Sequence, residues 1–273
     1  PDNPLMPNWK HLPVAYNGRA SSIVTSNYPL IRPRGQILDL TTNLPQYKEC
    51  QKLDFEVELG VIIGGHNKIG QPIKIQDAGD YVFGVCVLND WSARDIQGWE
   101  YQPLGPFNSK GFLTSISPWI VPISELDSFK VSLPKQDPKP LDYLCRDNDY
   151  LYDINFEVIL KTKKYQTGVL ISKTNFNTMY WSINQWIAHH TVSGTNLNVG
   201  DILGSGTISG FSPDSYGCLM ELTKNGKEPI TLPNGEMRTF LEDGDELTIN
   251  AYCGKNHELD LGSVTTSIFP AGS

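Results

Sequence analysis

Alternating apolar and polar residues dominate this chain and predict strands. A period of two places successive side chains on opposite faces of a sheet, and a continuous apolar run is typical of a strand buried on both faces. Segment 53–63, LDFEVELGVII, alternates and then becomes fully apolar. The same kind of evidence predicts strands at 81–88, 150–164 and 245–253 and, around the turn signal Asn225-Gly226, a hairpin over 218–232.

Only two segments have the period of a helix. In a helix over 90–101, the residues Asp90, Arg94, Gln97 and Tyr101 fall on one stripe, with Trp91 and Ile96 away from it. A second helix is expected to begin at Asn177, to bury Met179, Ile183, Trp186, Ile187 and His190, and to end before Gly194. Its adjacent histidines 189 and 190 are interpreted as ordinary helix-end residues. The fold class is therefore mainly β, with a few short helices.

Composition narrows the possible classes of protein. With 273 residues and 39% hydrophobic content, the chain can bury a sizeable core. A net charge of −8 disfavours a nucleic-acid partner, and the lack of a long apolar run disfavours a membrane span. The five cysteines, with no CxxC, are expected to be structural thiols in a reducing cytosol.

The first candidate functional feature is a pair of neighbouring carboxylates. Glu56 and Glu58 lie two apart on a predicted strand and therefore share a face. Side by side they repel each other, and burial raises that cost, so they belong either to a solvent-exposed edge strand or to a cation site. A divalent cation that prefers oxygen ligands would resolve the repulsion, and Asp90, at the end of the strand 81–88, is the natural third ligand.

Three other features fit a site beside these carboxylates. Lys110, in the loop PFNSKGFLT, could stabilise negative charge in carbonyl chemistry. The glycine-rich stretch GDILGSGTISG does not have dinucleotide spacing and favours close backbone approach to a ligand, with Thr207 offering an amide and a hydroxyl. Glu221 interrupts an apolar strand in CLMELT and is either an exposed edge residue or a buried group with a role.

Five segments together resemble the fumarylacetoacetase family, from about Met6 to Gly262. They are LPVAYNGRASS, LDFEVELG, NDWSARDIQGWEYQPLGPFNSKGF, HHTVSGTNLNVGDILGSGTISG and FLEDGDELTINAYC. The resemblance implies a cytoplasmic homodimer that hydrolyses 4-fumarylacetoacetate to fumarate and acetoacetate, the last step of tyrosine and phenylalanine breakdown. It also implies the mixed β-roll of the family's C-terminal domain over residues 1–273, with Mg²⁺ and Ca²⁺ as cofactors.

Residue roles follow from the same resemblance. The implied metal residues are Glu56, Glu58 and Asp90, with Lys110 and Thr114 lining the same region. The implied oxyanion stabilisers are Arg94, Gln97 and Lys110, and Glu221 would orient a general-base histidine. The implied substrate contacts are Tyr16, Gln97, Tyr101 and Thr207.

One departure from the family pattern concerns what precedes this sequence. In the family, a segment just upstream of LMPNW supplies a fourth metal aspartate, a substrate tyrosine and the base histidine, and a small SH3-like domain precedes it. Those residues are expected upstream of Pro1, and His11 is not a candidate for the base. The alternatives are an acylpyruvate hydrolase or oxaloacetate decarboxylase of the same superfamily, and a non-enzymatic calcium-binding β module.

Overall fold

Over the described part of the chain the fold is built mainly from strands, with four short α-helices. The computed structural model describes residues 6–272. The strands are β1 (Ile23–Thr25), β2 (Leu30–Ile31), β3 (Arg34–Asp39), β4 (Leu44–Glu49), β5 (Leu53–Asp54), β6 (Val57–Ile63), β7 (Val82–Asp90), β8 (Ser92–Ala93), β9 (Thr114–Ile116), β10 (Val121–Pro122), β11 (Lys130–Ser132), β12 (Tyr150–Tyr152), β13 (Ile154–Thr162), β14 (Tyr165–Asn175), β15 (Ile202–Gly204), β16 (Ile230–Thr231), β17 (Met237–Arg238), β18 (Glu246–Cys253) and β19 (Leu259–Phe269). The α-helices are α1 (Arg94–Glu100), α2 (Asn108–Gly111), α3 (Ile183–Thr191) and α4 (Leu219–Leu222), and six short 3₁₀ turns complete the list.

The first sheet carries the candidate site. Its strand order is β1–β9–β7–β6–β15, and β10 also pairs with β7. Strand β6 lies between two antiparallel neighbours and is buried along its whole length, which explains its apolar run. The register places Val57 opposite Asn89 and Asp90 opposite Thr114, so the end of β7 lies beside the start of β6.

The second sheet has the order β14–β13–β18–β19–β2. Along β13 every other residue is buried, and Ile154, Phe156 and Val158 point into the core as the alternation predicts. Buried side chains of both sheets belong to one continuous hydrophobic cluster, which includes β6 residues and these three. The sequence-based expectation of a mainly β fold with mixed sheets is confirmed.

The expected helix over 90–101 begins later than predicted. Asp90 ends β7, and Ser92–Ala93 form β8, which pairs with Leu53–Asp54. The helix α1 begins only at Arg94. The prediction that Asp90 and Arg94 lie one helical turn apart is therefore wrong. Asp90 pairs with Thr114 and Ser92–Ala93 pair with Leu53–Asp54, and this sheet pairing keeps the segment before Arg94 extended.

The predicted hairpin over 218–232 is also wrong, and its second strand, β16, pairs with β17 instead. Residues 219–222 form the short helix α4 instead of a strand, so Glu221 lies on a helix. The carboxylate of Asp54 accepts hydrogen bonds from the amides of Leu219 and Met220, at 2.7 and 3.0 Å, and this caps the helix. The turn itself is present, since Asn225 and Gly226 have φ of 59° and 83°.

The start of α3 differs from the prediction by several residues. Ser182, not Asn177, caps it, and Ser182 and Gln185 form a reciprocal capping box. Asn177 lies in the preceding 3₁₀ turn. The ring nitrogen Nδ1 of His189 shares a hydrogen bond with the Tyr143 hydroxyl at 2.9 Å.

Two further expectations bear on the class of protein. All five cysteines fall within residues 6–272 and are free thiols, four of them buried. In the same range, no helix has both the length and the apolar character needed to cross a bilayer.

Candidate active site

Three carboxylates converge where β6 and β7 meet. Glu56 immediately precedes β6, Glu58 lies within it, and Asp90 is the last residue of β7. One oxygen from each lies within 4.8 Å of the others, and each of the three residues is at most 9% exposed. Strands β6 and β7 pair antiparallel, and the Asp90 amide donates a hydrogen bond to the Glu56 carbonyl. This pairing brings together two residues that are 34 positions apart in the sequence. The alternative interpretation, that Glu56 and Glu58 lie on a solvent-exposed edge strand, is therefore wrong.

Lys110 inserts its ammonium between two of these carboxylates. Its Nζ lies 2.5 Å from Glu56 Oε2 and 3.1 Å from Asp90 Oδ2, and the residue is only 5% exposed. Burial alone would lower the pKa of Lys110, but Glu56 and Asp90 raise that pKa above its ordinary value, so the side chain stays protonated. A solvated loop lysine is therefore excluded.

Arg94 forms a second cationic contact with Glu56. Its Nη1 donates to Glu56 Oε1 at 2.8 Å and to Gln97 Oε1 at 3.1 Å. Its Nε donates to Asp54 Oδ2 at 2.9 Å. Its Nη2 is buried and has no hydrogen-bond partner among the described residues. Three of the predicted site residues, Arg94, Gln97 and Lys110, therefore lie in one network with Glu56, and one guanidinium nitrogen remains free to donate.

Tyr16 approaches the cluster from an N-terminal loop. Its hydroxyl donates a hydrogen bond to Asp90 Oδ2, although 42% of the residue is exposed. Burial of the hydroxyl, and after it the charge of Asp90, raise the pKa of Tyr16 above its usual range. The phenol is therefore neutral at neutral pH and acts as a hydrogen-bond donor.

The electrostatics of the three carboxylates are unequal. Burial, followed by the charges of Asp90 and Glu56, raises the pKa of Glu58 well above its ordinary value. Burial also raises the pKa of Asp90. Burial acts on Glu56 in the same direction, but Lys110 and Arg94 outweigh it and hold the pKa of Glu56 below the usual range.

The residues present fit a divalent cation. When all are ionised, the four carboxylates of Asp54, Glu56, Glu58 and Asp90 face two cations, Lys110 and Arg94, which leaves a formal surplus of two negative charges. Glu58 makes no ion pair among the described residues, and burial raises its pKa well above the ordinary value. Carboxylate oxygens are the donors that Mg²⁺ and Ca²⁺ prefer. The cluster could therefore hold a divalent metal.

The glycine-rich stretch that contains β15 contacts the cluster through Glu58. An added Cβ at Gly204 would lie 2.6 Å from Glu58 Oε2, so a side chain at 204 would displace that carboxylate oxygen. The backbone amide of Gly206 acts to lower the pKa of Glu58, against the larger upward effect of burial. The sequence predicted that the backbone of this stretch approaches a ligand closely. In the structure, the group that it approaches is the Glu58 carboxylate.

The remaining predicted residues lie around this centre and their roles stay predictions. Thr114 is the backbone neighbour of Asp90 in the β7–β9 pair. Tyr101 directly follows α1 and is 49% exposed. Thr207 lies in the loop after β15, where the next residue, Ile208, donates its amide to Val57.

Glu221 is oriented by two neighbouring side chains. Its Oε2 accepts hydrogen bonds from the Ser209 hydroxyl at 2.6 Å and from the Cys218 thiol at 3.1 Å. Burial, and then the charge of Asp54, raise the pKa of Cys218, so this thiol stays protonated and donates. No described residue donates to Oε1, which leaves one oxygen able to accept a further hydrogen bond.

Sequence reasoning missed Asp54. This carboxylate is fully buried and accepts four hydrogen bonds, from the amides of Phe55, Leu219 and Met220 and from Arg94. A signal was present, because Asp54, Glu56 and Glu58 alternate on one face of the same predicted strand. Ser209 was also missed, and no pattern in the chain distinguishes it from other loop serines.

Comparisons with known proteins agree with this geometry. Residues 4–268 match the family model described as "Fumarylacetoacetate (FAA) hydrolase C-terminal". The chain is 51% identical over 272 residues to "Fumarylacetoacetase" of Arabidopsis thaliana, covering 99% of this chain and 64% of that protein. It is 49% identical over 271 residues to "Fumarylacetoacetase" of Homo sapiens, covering 99% of this chain and 65% of that protein. The chain thus spans about two thirds of the length of these relatives, slightly less in both cases.

Solved structures support the fold alone. A fumarylacetoacetate hydrolase from Exiguobacterium antarcticum superposes with a TM-score of 0.55 at 20% identity, covering 92% of this chain and 64% of that one. A 5-carboxymethyl-2-hydroxymuconate delta-isomerase from Mycobacterium smegmatis gives a TM-score of 0.52 at 20% identity, covering 92% of this chain and 67% of that one.

Proposed function

This chain belongs to the fumarylacetoacetate hydrolase family, and from that premise we propose that it is the catalytic part of a fumarylacetoacetase. Such an enzyme hydrolyses the carbon–carbon bond of 4-fumarylacetoacetate and yields fumarate and acetoacetate. The observation that carries the proposal is the buried cluster of Glu56, Glu58 and Asp90 with Lys110 inserted into it.

We assign the three carboxylates as ligands of Mg²⁺ or Ca²⁺, with Lys110 and Thr114 beside them. A divalent ion bound there would supply Lewis acidity to the oxygens of the β-diketone. The formal surplus of negative charge and the upward pKa shift of Glu58 support this assignment. Calorimetric titration with Mg²⁺ and with Ca²⁺ tests which of the two ions the site binds more tightly.

The chain's own residues would hold the substrate and stabilise negative charge. Water adds to the carbonyl beside the fumaryl group, the carbon–carbon bond to the acetoacetate part breaks, and the electron pair leaves as an enolate. The free Nη2 of Arg94 and the ammonium of Lys110 are donors for the developing oxyanion, and Gln97 holds Arg94 Nη1. Tyr16, Gln97, Tyr101 and Thr207 are assigned as substrate contacts.

Glu221 is assigned as the residue that orients the general base. Its Oε2 is held by Ser209 and Cys218, so its Oε1 could accept the ring N–H of a histidine. None of the five histidines, all within residues 6–272, hydrogen-bonds to Glu221 or to the three carboxylates. We therefore assign the base to the histidine that the family resemblance implies.

The rival functions make different demands on the same site. A dedicated calcium-binding module gains nothing from an ammonium that competes with the ion for Glu56 and Asp90, whereas an enzyme that stabilises an oxyanion does. An acylpyruvate hydrolase or an oxaloacetate decarboxylase would use the same carboxylates. The residues Arg94, Gln97 and Tyr101 match the fumarylacetoacetase sequence pattern, and this favours the fumarylacetoacetase over both rival enzymes.

We also propose that the protein acts in the cytoplasm as a homodimer. The family resemblance is the basis, and it is compatible with the free cysteines and with the exposed apolar residues Leu104 and Phe211. Light scattering after size-exclusion chromatography tests the dimer, and a monomeric mass at micromolar concentration would reject it.

The experiment that tests the function is a turnover assay on the intact protein. Fumarate release from 4-fumarylacetoacetate is measured after chelation and after addition of Mg²⁺ or Ca²⁺, with an acylpyruvate and oxaloacetate as comparison substrates. The proposal expects metal-dependent release and a preference for fumarylacetoacetate. Faster turnover of either comparison substrate would favour the corresponding rival enzyme.

A further inference from the structure

Building on the proposed function, we propose that Arg19 binds a terminal carboxylate of the substrate and thereby selects for anionic substrates. Arg19 lines a cleft of about 260 Å³ beside the carboxylate cluster. Tyr16 and Lys110 line the same cleft, so Arg19 faces the space into which both of these site residues project.

Packing holds the Arg19 side chain at this position. The centre of its guanidinium lies 4.8 Å from the centroid of the Phe107 ring, within cation–π range. An added Cβ at Gly111 would lie 3.3 Å from Arg19 Nε, so a glycine at 111 leaves room for the arginine. The Ser22 hydroxyl also donates to the Gly111 carbonyl at 2.8 Å and ties the two walls of the cleft together.

The charge of Arg19 is available to a ligand. Of the six arginines, four are paired with carboxylates among the described residues: Arg32, Arg34, Arg94 and Arg238. No carboxylate among residues 6–272 forms an ion pair with Arg19, although the chain carries a net charge of −8 and acidic side chains are plentiful. Arg19 therefore brings an unpaired positive charge to the cleft of an otherwise acidic protein.

The chemistry of the substrate matches this arrangement. Fumarylacetoacetate carries a carboxylate at each end, and the reacting carbonyl lies between them. A planar guanidinium can bind a carboxylate through two parallel hydrogen bonds, which a lysine cannot do. Arg19 would therefore determine specificity at a terminus of the substrate and take no part in the bond cleavage.

The test uses the two product anions as probes. Binding of fumarate and of acetoacetate to the chain is measured by calorimetry with Mg²⁺ or Ca²⁺ present, together with dimethyl fumarate and methyl acetoacetate, in which every carboxylate is masked. Arg19→Gln should weaken binding of one product anion roughly tenfold to a hundredfold, the range for hydrogen bonds to a charged group. The ester of that anion should bind the variant and the wild type equally.

Two controls make the outcome specific. Arg34→Gln removes an exposed arginine that pairs with Glu49 on the β3–β4 hairpin, and it should change neither affinity. Arg19→Lys keeps the charge without the planar fork and should recover only part of the binding.

The proposal is overturned if Arg19→Gln binds both anions as the wild type does, if the ester loses affinity equally, or if the wild type binds neither anion. Turnover of fumarylacetoacetate is measured separately on the intact protein. Arg19-dependent binding without hydrolysis would reject only the proposed function, and hydrolysis with Arg19-independent binding would reject only this subsite.

Discussion

Removing the buried carboxylate of Asp54 should destabilise the fold strongly. Asp54 is 0% exposed and holds Arg94 Nε at 2.9 Å, and it also accepts the first amides of α4. In Asp54→Ala the buried guanidinium loses a counter-ion, which typically costs about 3–5 kcal/mol. The orphaned amides of Leu219 and Met220 add to this, at about 1–3 kcal/mol for each that finds no water. Since a domain is stable by only about 5–15 kcal/mol, the variant should be marginal.

The assay is urea unfolding of the purified chain, followed by tryptophan fluorescence and by circular dichroism. Glu49→Ala is the matched control, because Glu49 also pairs with an arginine but is 41% exposed, and it should cost less than about 1 kcal/mol. Asp54→Asn keeps the shape but presents an amide donor to Arg94, so its loss should fall between the two. If Asp54→Ala and Glu49→Ala lowered the free energy of unfolding equally, the buried network would not hold this region together.

Three further predictions concern single side chains. Lys110→Met in the intact protein should lower kcat roughly a hundredfold with a much smaller change in KM, because an oxyanion donor acts on charge present only in the transition state, and unchanged steady-state kinetics would remove Lys110 from the site. Glu221→Gln should lower turnover roughly a hundredfold while calorimetry shows the metal affinity of the wild type, and a loss below about threefold would count against a role in orienting the base. Burial, and then His189, lower the pKa of His190 below its ordinary 6.5, so the unfolded state takes up the proton first. The free energy of unfolding should therefore fall as the pH drops below 6.5, and His190→Gln should reduce that loss, whereas an identical pH slope in both proteins would contradict it.

Local alternation was sufficient to predict strands in both sheets, including those that carry the site. Strand β13 follows the period of two, and β6 follows the apolar run, because each pairs on both sides within a sheet. The same pattern placed Glu56 and Glu58 on one face and Asp90 at a strand end, and the three side chains do meet.

Features that depend on distant partners could not be predicted in this way. The helix α4 forms where a strand was expected because Asp54, 165 residues earlier, caps its amides. The burial of Lys110 depends on Glu56 and Asp90, and no local signal in its loop reveals it. The helix α1 begins at Arg94 and not at the predicted Asp90, because Ser92–Ala93 pair as a strand with Leu53–Asp54.

The most direct test of the metal site is calorimetric titration of the chain with Mg²⁺ and Ca²⁺. Wild-type protein should bind one divalent ion, and Glu58→Gln should bind it more than roughly tenfold more weakly, since even residues outside the ligand shell cost that much when lost. Glu228→Gln is the matched control, because Glu228 is exposed and pairs only with Lys224 on the surface, and it should titrate like the wild type. Wild-type affinity in Glu58→Gln would contradict the assignment of the three carboxylates as a metal centre.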